Sequence, residues 1–314
     1  MISDHLTPEE EPVCSAWPRL VQAVLVLFLA ISILIFAFSF IASNPAGLQQ
    51  QIHRLTSQVE ELKQEQAMPS FVLNRYRNSI CYIFGIYEVG FPNQKPLQRT
   101  RISGTGFVVA NGLVATNRHV AEPWYGDADA DPLFAKGATA RLEKLVAYFP
   151  GSPAPVNLTA AAISPDGDLA VVRMNELPPF PLQPLPLAPE NPDAGELVAV
   201  VGYPMGVLGM MAKAPTPVYA RLAFRHDDQG TASELAALSL IRPSATCGHL
   251  GDVVGDKLIY DAPTAHGASG GPVFNSRGEV IGVNAAYIDG FSGGTLGISS
   301  QALRPLIQQA QKKF

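Results

Sequence analysis

The chain has 314 residues, 47% of them hydrophobic and 16% charged, enough for two small lobes with appendages. Its 22 Lys and Arg against 27 Asp and Glu leave a net charge of −5, so no basic surface argues for a nucleic-acid partner. Three cysteines (Cys14, Cys81 and Cys247) do not make a disulfide framework, and no Cys, His or Asp cluster has metal-ligand spacing, so no metal and no other cofactor is expected.

Residues 1–20 carry Asp4, Glu9, Glu10 and Glu11 and are expected to form a disordered acidic tail. From Val21 to Ala42 the chain has no charged residue, a run long enough to span the hydrocarbon core of a membrane. A cleaved signal peptide would have a shorter apolar region ending in a small-x-small site. Phe40 or Ile41 takes the critical place here, so a retained transmembrane helix over 21–42 is expected. Arg19 abuts it on the N-terminal side and no Lys or Arg follows until Arg54, which places the N-terminus in the cytoplasm and the rest outside it. After Pro45, Leu48, Ile52, Leu55, Val59 and Leu62 recur at spacings of 4, 3, 4 and 3. Residues 45–68 therefore read as a stalk helix. A short two-stranded coiled coil, with β-branched residues at a and leucine at d, is one reading; a helix lying on the globular part or the membrane surface is the other.

The globular part begins near Ser79 with an apolar, β-branched and aromatic run. Short apolar runs punctuated by Gly, Pro and Asn recur to about residue 300, the pattern of an all-β chain. Gly104-Thr105-Gly106-Phe107-Val108-Val109 and Leu113-Val114-Ala115-Thr116 read as two strands joined at Asn111-Gly112, with His119 just past the second. Asp166-Gly167 reads as a turn, and Asp168 stands flush against Leu169-Ala170-Val171-Val172. Between Glu176 and Gly195 seven prolines mark a surface linker, because proline cannot donate to a central ladder. It divides lobe one (79–175) from lobe two (196–300), across linker 176–195. Gly202-Tyr203-Pro204-Met205-Gly206 lacks the phosphate-loop pattern and reads as a bend after a strand. The tail 300–314 reads as a helix, with Pro305 tolerable only in its first turn and Lys312 and Lys313 suited to its end.

Gly267-Ala268-Ser269-Gly270-Gly271-Pro272 is the segment with the clearest chemistry. A glycine two positions before a serine lets the Gly267 and Ser269 N–H groups point the same way, as an oxyanion hole requires. A serine hydroxyl needs a base to take its proton and an acid to orient that base. Of six histidines only His119 has a context fit for the base; His249 and His266 read as exposed loop residues. Asp168 is the acid candidate, since a partly buried carboxylate needs a partner. Gly-x-Ser-x-Gly also fits the nucleophile elbow of α/β-hydrolases, but that fold places its histidine after the serine, and none follows Ser269.

Thr-Asn-x-His-Val, Asp-Leu-Ala-Val-Val and Gly-x-Ser-Gly-Gly-Pro occur in the order His, Asp, Ser, with Gly-x-Gly-Phe-Val upstream. Over residues 79–305 the chain resembles the trypsin-like serine proteases, specifically the membrane-anchored type of the HtrA (Deg) branch. The resemblance implies a double six-stranded β-barrel with the site in the crevice, His119 as general base and acid, Asp168 as its orienter, and Ser269 as nucleophile. Six positions before Ser269, where trypsin carries its acid, stands Pro263. With Asn284, Ala285 and Ala286 opposite, a substrate pocket for Val, Ala or Leu is expected; the direction of Asp261 is left open. Cys81 is expected to be a buried thiol, with pairing to Cys247 as the alternative. No PDZ segment is expected. Family members are generally trimers, whereas the heptad favours two strands, so homo-oligomers of either size stay open. The expectation is a serine endopeptidase on the cell inner membrane, single-pass, with its catalytic domain in the periplasm, cleaving misfolded or signalling polypeptides. The alternative is a protease-fold scaffold or binding protein with a resting triad.

Overall fold

The alternating and fully apolar runs that follow Ser79 close into two β-barrels, and short strands such as 113–116 and 272–274 are buried on both faces. The computed structural model describes residues 17–42, 45–287 and 294–312, so 1–16 of the expected acidic tail, with Cys14, lie outside the described residues, while 17–20 are helical. It divides into two compact units, Met1–Leu62 and Lys63–Phe314. The first holds α1 (Trp17–Ala42) and most of α2 (Pro45–Tyr76). Within α1, Leu20–Phe40 is the one helix long and apolar enough to cross a membrane among the described residues, and its side chains are exposed. At about 1.5 Å per residue its 21 residues span roughly 31 Å. Leu48, Ile52, Leu55, Val59 and Leu62 of α2 are exposed as well.

In the second unit, barrel one consists of β1 (Ile80–Gly90), β2 (Gln98–Ala110), β3 (Leu113–Thr116), β4 (Thr139–Tyr148), β5 (Val156–Ile163) and β6 (Ala170–Met174), closed in the order β1-β2-β3-β6-β5-β4. Two one-turn helices, α3 (Arg118–Ala121) and α4 (Asp131–Phe134), lie between β3 and β4. Barrel two consists of β7 (Leu197–Gly202), β8 (Ser244–Val254), β9 (Lys257–Tyr260), β10 (Pro272–Phe274), β11 (Val280–Tyr287) and β12 (Thr295–Ser299), closed as β10-β11-β12-β9-β8-β7. The pairings within both barrels are antiparallel, and an isolated bridge of Leu187 with Val280 is parallel. The double six-stranded barrel is the expected fold, and the serial hairpins explain it: antiparallel strands need only short turns, and closure removes exposed edges.

One core runs through both barrels, with Tyr82, Phe84, Tyr148, Tyr203 and Phe274 in it. The last turns of α2 belong to it: Met68, Val72 and Tyr76 are buried, and Tyr76 stacks on Phe274 at 5.5 Å. The helix thus runs eight residues beyond the expected stalk end at 68, through Pro69, because its final face has a core to bury. The proline-rich segment is less of a surface linker than its composition implies. Leu185 N–H bonds Val108 in barrel one, Pro186 and Ala188 bond Val280 in barrel two, and Leu185 and Ala188 are buried.

Two departures are instructive. The bend after β7 opens into three helices, α5 (Gly206–Ala212), α6 (Thr216–Leu222) and α7 (Asp228–Ala237), so barrel two is not purely β. Asp227 caps α7, its carboxylate accepting the Gly230 N–H at 3.0 Å. The terminal helix α8 (Ser300–Lys312) starts where expected, but Pro305 is its sixth residue rather than a first-turn residue. Leu303, Leu306 and Ala310 are buried on the core, and that burial outweighs the helical bond the proline forgoes.

Candidate active site

The β3–β6 register explains why residues far apart in sequence meet. Thr116 pairs with Ala170, so the residues after β3 and before β6 emerge at one end of the same strand pair. His119 and Asp168 therefore leave the barrel side by side. The carboxylate holds the histidine at two points: Oδ2 lies 2.7 Å from ring Nδ1, and Oδ1 accepts the His119 backbone N–H at 2.9 Å. Asn117 donates from Nδ2 to the Asp168 carbonyl at 2.8 Å, fixing the aspartate's own backbone. With Nδ1–H given to the carboxylate, Nε2 carries the free lone pair, the arrangement a general base needs.

Ser269 lies three residues before β10, and the β10–β11 ladder continues toward it. Asn284 N–H donates to Gly271, and Gly270 N–H to Asn284, each at 2.8 Å. A bulge in β11 between Asn284 and Ala286 takes Ala285 out of the β12 ladder. Its carbonyl accepts the Ser269 hydroxyl at 3.0 Å. A hydroxyl has one proton, so in this state it is not directed at His119.

The loop before Ser269 is held from behind. The His266 carbonyl accepts the Met205 N–H at 2.6 Å. In a trans peptide the C=O and N–H point in opposite directions, so the Gly267 N–H is turned away from Met205. The Gly267 carbonyl accepts from Thr105 Oγ1 at 2.7 Å, and the same buried hydroxyl accepts the Tyr203 N–H at 3.1 Å. Thr105 N–H in turn donates to the Ser269 carbonyl at 2.8 Å. Among the described residues, neither the Gly267 nor the Ser269 N–H is given to a protein acceptor. Gly267 has φ +90°, and a Cβ there would stand 2.6 Å from the Tyr203 carbonyl and 2.8 Å from the Gly206 nitrogen. Only glycine fits.

The pocket residues fall less uniformly. Pro263 is exposed, and its carbonyl accepts from Thr246 Oγ1 at 2.7 Å. Asn284 is buried, its Oδ1 accepting the Tyr260 hydroxyl at 2.7 Å and its Nδ2 reaching Thr264 Oγ1 at 3.4 Å, so its side chain is engaged within the barrel. Burial pushes the Tyr260 hydroxyl far above its ordinary pKa, so it stays a donor. Ala285 contributes the carbonyl already described; the side chain of Ala286 lies outside the described residues. Asp261 is engaged with β8, Oδ1 accepting the His249 N–H at 2.5 Å. His249 and His266 are exposed. Sequence reasoning missed Thr105 and Met205. The glycines flanking Thr105 were its only sequence signal, and Met205 had none beyond its glycine-rich loop.

Residues 104–283 match the family described as Trypsin-like peptidase domain. Among curated relatives, "Serine protease HTRA2, mitochondrial" of Bos taurus is 29% identical over 67% of this chain and 37% of its own length. "Probable periplasmic serine endoprotease DegP-like" of Chlamydia pneumoniae is 30% identical over 67% of this chain and 34% of its own. The chain thus spans about a third of the length of these relatives. The solved Rv3671c protease of Mycobacterium tuberculosis, in its active form, is similar at 19% identity and a TM-score of 0.49, over 76% of this chain and 83% of that one.

Proposed function

Because the chain belongs to the family of trypsin-like peptidase domains, we propose that it is a serine endopeptidase working through Ser269, His119 and Asp168. The observation that carries this reading is the two-point hold of Asp168 on His119, together with a serine loop tied to barrel one through Thr105, whose Gly267 and Ser269 N–H groups are given to no protein acceptor among the described residues. Ser269 Oγ turns from Ala285 to His119 Nε2, gives it the proton and attacks the scissile carbonyl. The carbonyl oxygen becomes an oxyanion that accepts from Gly267 and Ser269 N–H, each donor contributing on the order of 10²–10³ in kcat. His119 then passes the proton to the departing amine. Water, deprotonated by the same ring, hydrolyses the acyl-enzyme and returns Ser269 to rest.

The enzyme is anchored in the inner membrane by α1, with its N-terminus in the cytoplasm and the barrels in the periplasm. The apolar Leu20–Phe40 stretch, the position of Arg19 and the periplasmic relative support this placement. Its substrates are polypeptides, misfolded or signalling, cut after Val, Ala or Leu; Pro263 where an acidic residue would select Arg or Lys, and the engagement of Asp261 by β8, support an aliphatic preference. The resting bond of Ser269 to Ala285 favours a second reading, a scaffold on the protease fold whose triad does not fire. A fluorophosphonate probe separates the two. Labelling of the purified full chain, lost in Ser269→Ala and His119→Ala and kept in His266→Ala, is expected for the enzyme; no labelling in the parent chain would leave the scaffold.

A further inference from the structure

The three-helix insert is the part of the globular unit that the proposed chemistry leaves unused, and it carries a cavity. Val207, Leu208 and Met211 of α5, Leu222 at the end of α6, Ala223 after it and Thr231 of α7 line a space of about 230 Å³. That exceeds the roughly 150 Å³ that takes a benzene ring, so a leucine or phenylalanine side chain has room. Its charged side chains already have partners: Arg101 pairs with Asp228 at 2.9 Å, and Arg225 shares Glu234 with Arg221, with His226 also in the lining. An anionic ligand would compete with these carboxylates, whereas a neutral apolar group would not.

Two further features point to an occupant. Thr231 is 1% exposed, yet its hydroxyl has no hydrogen-bond partner among the described residues. A buried hydroxyl without a partner costs free energy, and a backbone N–H or C=O entering beside it would supply one. Of the lining, Leu208 is 62% exposed, and Phe224, which follows the lining residue Ala223 in the chain, is 85% exposed. A polypeptide offers both of the required chemistries, an apolar side chain and a peptide group.

The place of the cavity ties it to the candidate active site. Helix α5 starts at Gly206, directly against Gly267, and Met205 holds the His266 carbonyl. At 1.5 Å per residue, Met211 is only about 7.5 Å along the axis from Gly206. An extended substrate rises about 3.3 Å per residue, so a residue seated here is within a few positions of the bond to be cut.

We propose that the cavity is an exosite that takes an apolar side chain of the polypeptide substrate, with Thr231 bonding that substrate's backbone. The proposal rests on the endopeptidase reading and adds to it a second contact two or more residues from the cut, which a single-residue substrate cannot make. The test uses the full chain in detergent micelles with two substrates, a denatured carboxymethylated protein and acetyl-valine p-nitrophenyl ester. Leu208→Asp is expected to raise KM for the denatured protein about tenfold, and Thr231→Val by about three- to tenfold, with the ester kcat/KM within about twofold of the parent. Unchanged KM for the denatured protein in both variants, or a parallel fall for the ester, would overturn the proposal. A binding arm uses Ser269→Ala chains and a fluorescent denatured protein followed by anisotropy. Leu208→Asp in that background should weaken binding by the same factor. If the parent chain turned over neither substrate, the endopeptidase reading would fall, and an unaltered Kd in the binding arm would separately sink the exosite.

Discussion

Thr105→Val is the most informative single change. The two side chains have nearly the same shape, so no cavity forms, and the effect isolates the hydroxyl. In the parent that hydroxyl donates to Gly267 O at 2.7 Å and accepts from Tyr203 N–H at 3.1 Å, at a fully buried position. The variant orphans one buried carbonyl and one buried N–H, each costing about 1–3 kcal/mol if nothing moves. Gly267 can move. Relaxation of its loop recovers part of the loss by letting the carbonyl find another donor, and it carries the Gly267 N–H out of line. Loss of that donor lowers kcat by on the order of 10²–10³. The expected result is a fall in kcat of about a hundredfold with KM changed by less than about threefold. Melting temperature should fall by roughly 4–8 °C, about 2 kcal/mol in a unit of this size. Thr105→Ser, which restores the hydroxyl, should recover most of the kcat. Active-site titration followed by steady-state turnover of a peptide ester gives both constants per competent site. A Thr105→Val enzyme with parental kcat would refute the reasoning, because it would mean the loop holds its orientation without this bond.

Gly270→Ala should abolish soluble expression or cost several kcal/mol in thermal unfolding, since φ is +87° there and a Cβ would stand 2.1 Å from the Thr105 carbonyl; a well-folded variant would mean the β2 contact is expendable. Cys81 should resist Ellman's reagent in the native state, because it is buried, its Sγ is bonded to Gly106 O at 3.5 Å, and burial pushes its thiol well up; half-buried Cys247, raised by the same cause, should react slowly, and a non-reducing digest should contain no Cys81–Cys247 peptide. Asp168→Asn should lower kcat by about 10⁴ through loss of the Nδ1–H tautomer; a loss under tenfold would remove the aspartate from the mechanism. A peptide-library profile should centre on Val, Ala and Leu at the residue before the cut, and dominance of Arg or Lys would overturn the pocket assignment.

The barrels were legible because their signals are local. Asn111-Gly112 closes a hairpin, and proline density separates the lobes, so strand content and chain order follow from short windows. His119 and Asp168 stood out as candidates for a related reason: each sits at the end of an apolar run, and the Thr116–Ala170 register makes those two ends neighbours, whereas Ser269 is tied to barrel one through the Thr105 N–H, a bond no register announces. The helical insert was not legible. Its members have 7, 7 and 10 residues, too few for a 3.6-residue period to stand out, and α5 includes Gly206 and Gly209. Thr105 was out of reach on other grounds. Its partners Gly267 and Tyr203 lie 162 and 98 residues away, and nothing in a Gly-x-Gly triplet announces a bond of that range.

The two halves of the proposed site differ in how far they are set at rest, and the energies decide what that difference means. The oxyanion half is fixed by several bonds that would have to break together: Met205 to His266, Thr105 to Gly267, and Thr105 to Ser269. Turning that loop away would orphan buried backbone groups at about 1–3 kcal/mol apiece. The nucleophile half is held by one neutral hydrogen bond, from Ser269 to Ala285. Such a bond is worth about 0.5–1.5 kcal/mol net, and the bond to His119 Nε2 that the endopeptidase reading requires would be of the same kind. Even with no compensation the bias is at most about tenfold, since 1.4 kcal/mol corresponds to a factor of ten. Moving between staggered χ1 wells is a fast side-chain event that needs no backbone change. In the endopeptidase reading, the half of the proposed site that would be costly to rebuild is the one several bonds hold at rest, and the half turned aside is held by a single bond; the scaffold reading therefore needs something beyond that one bond to keep Ser269 from His119.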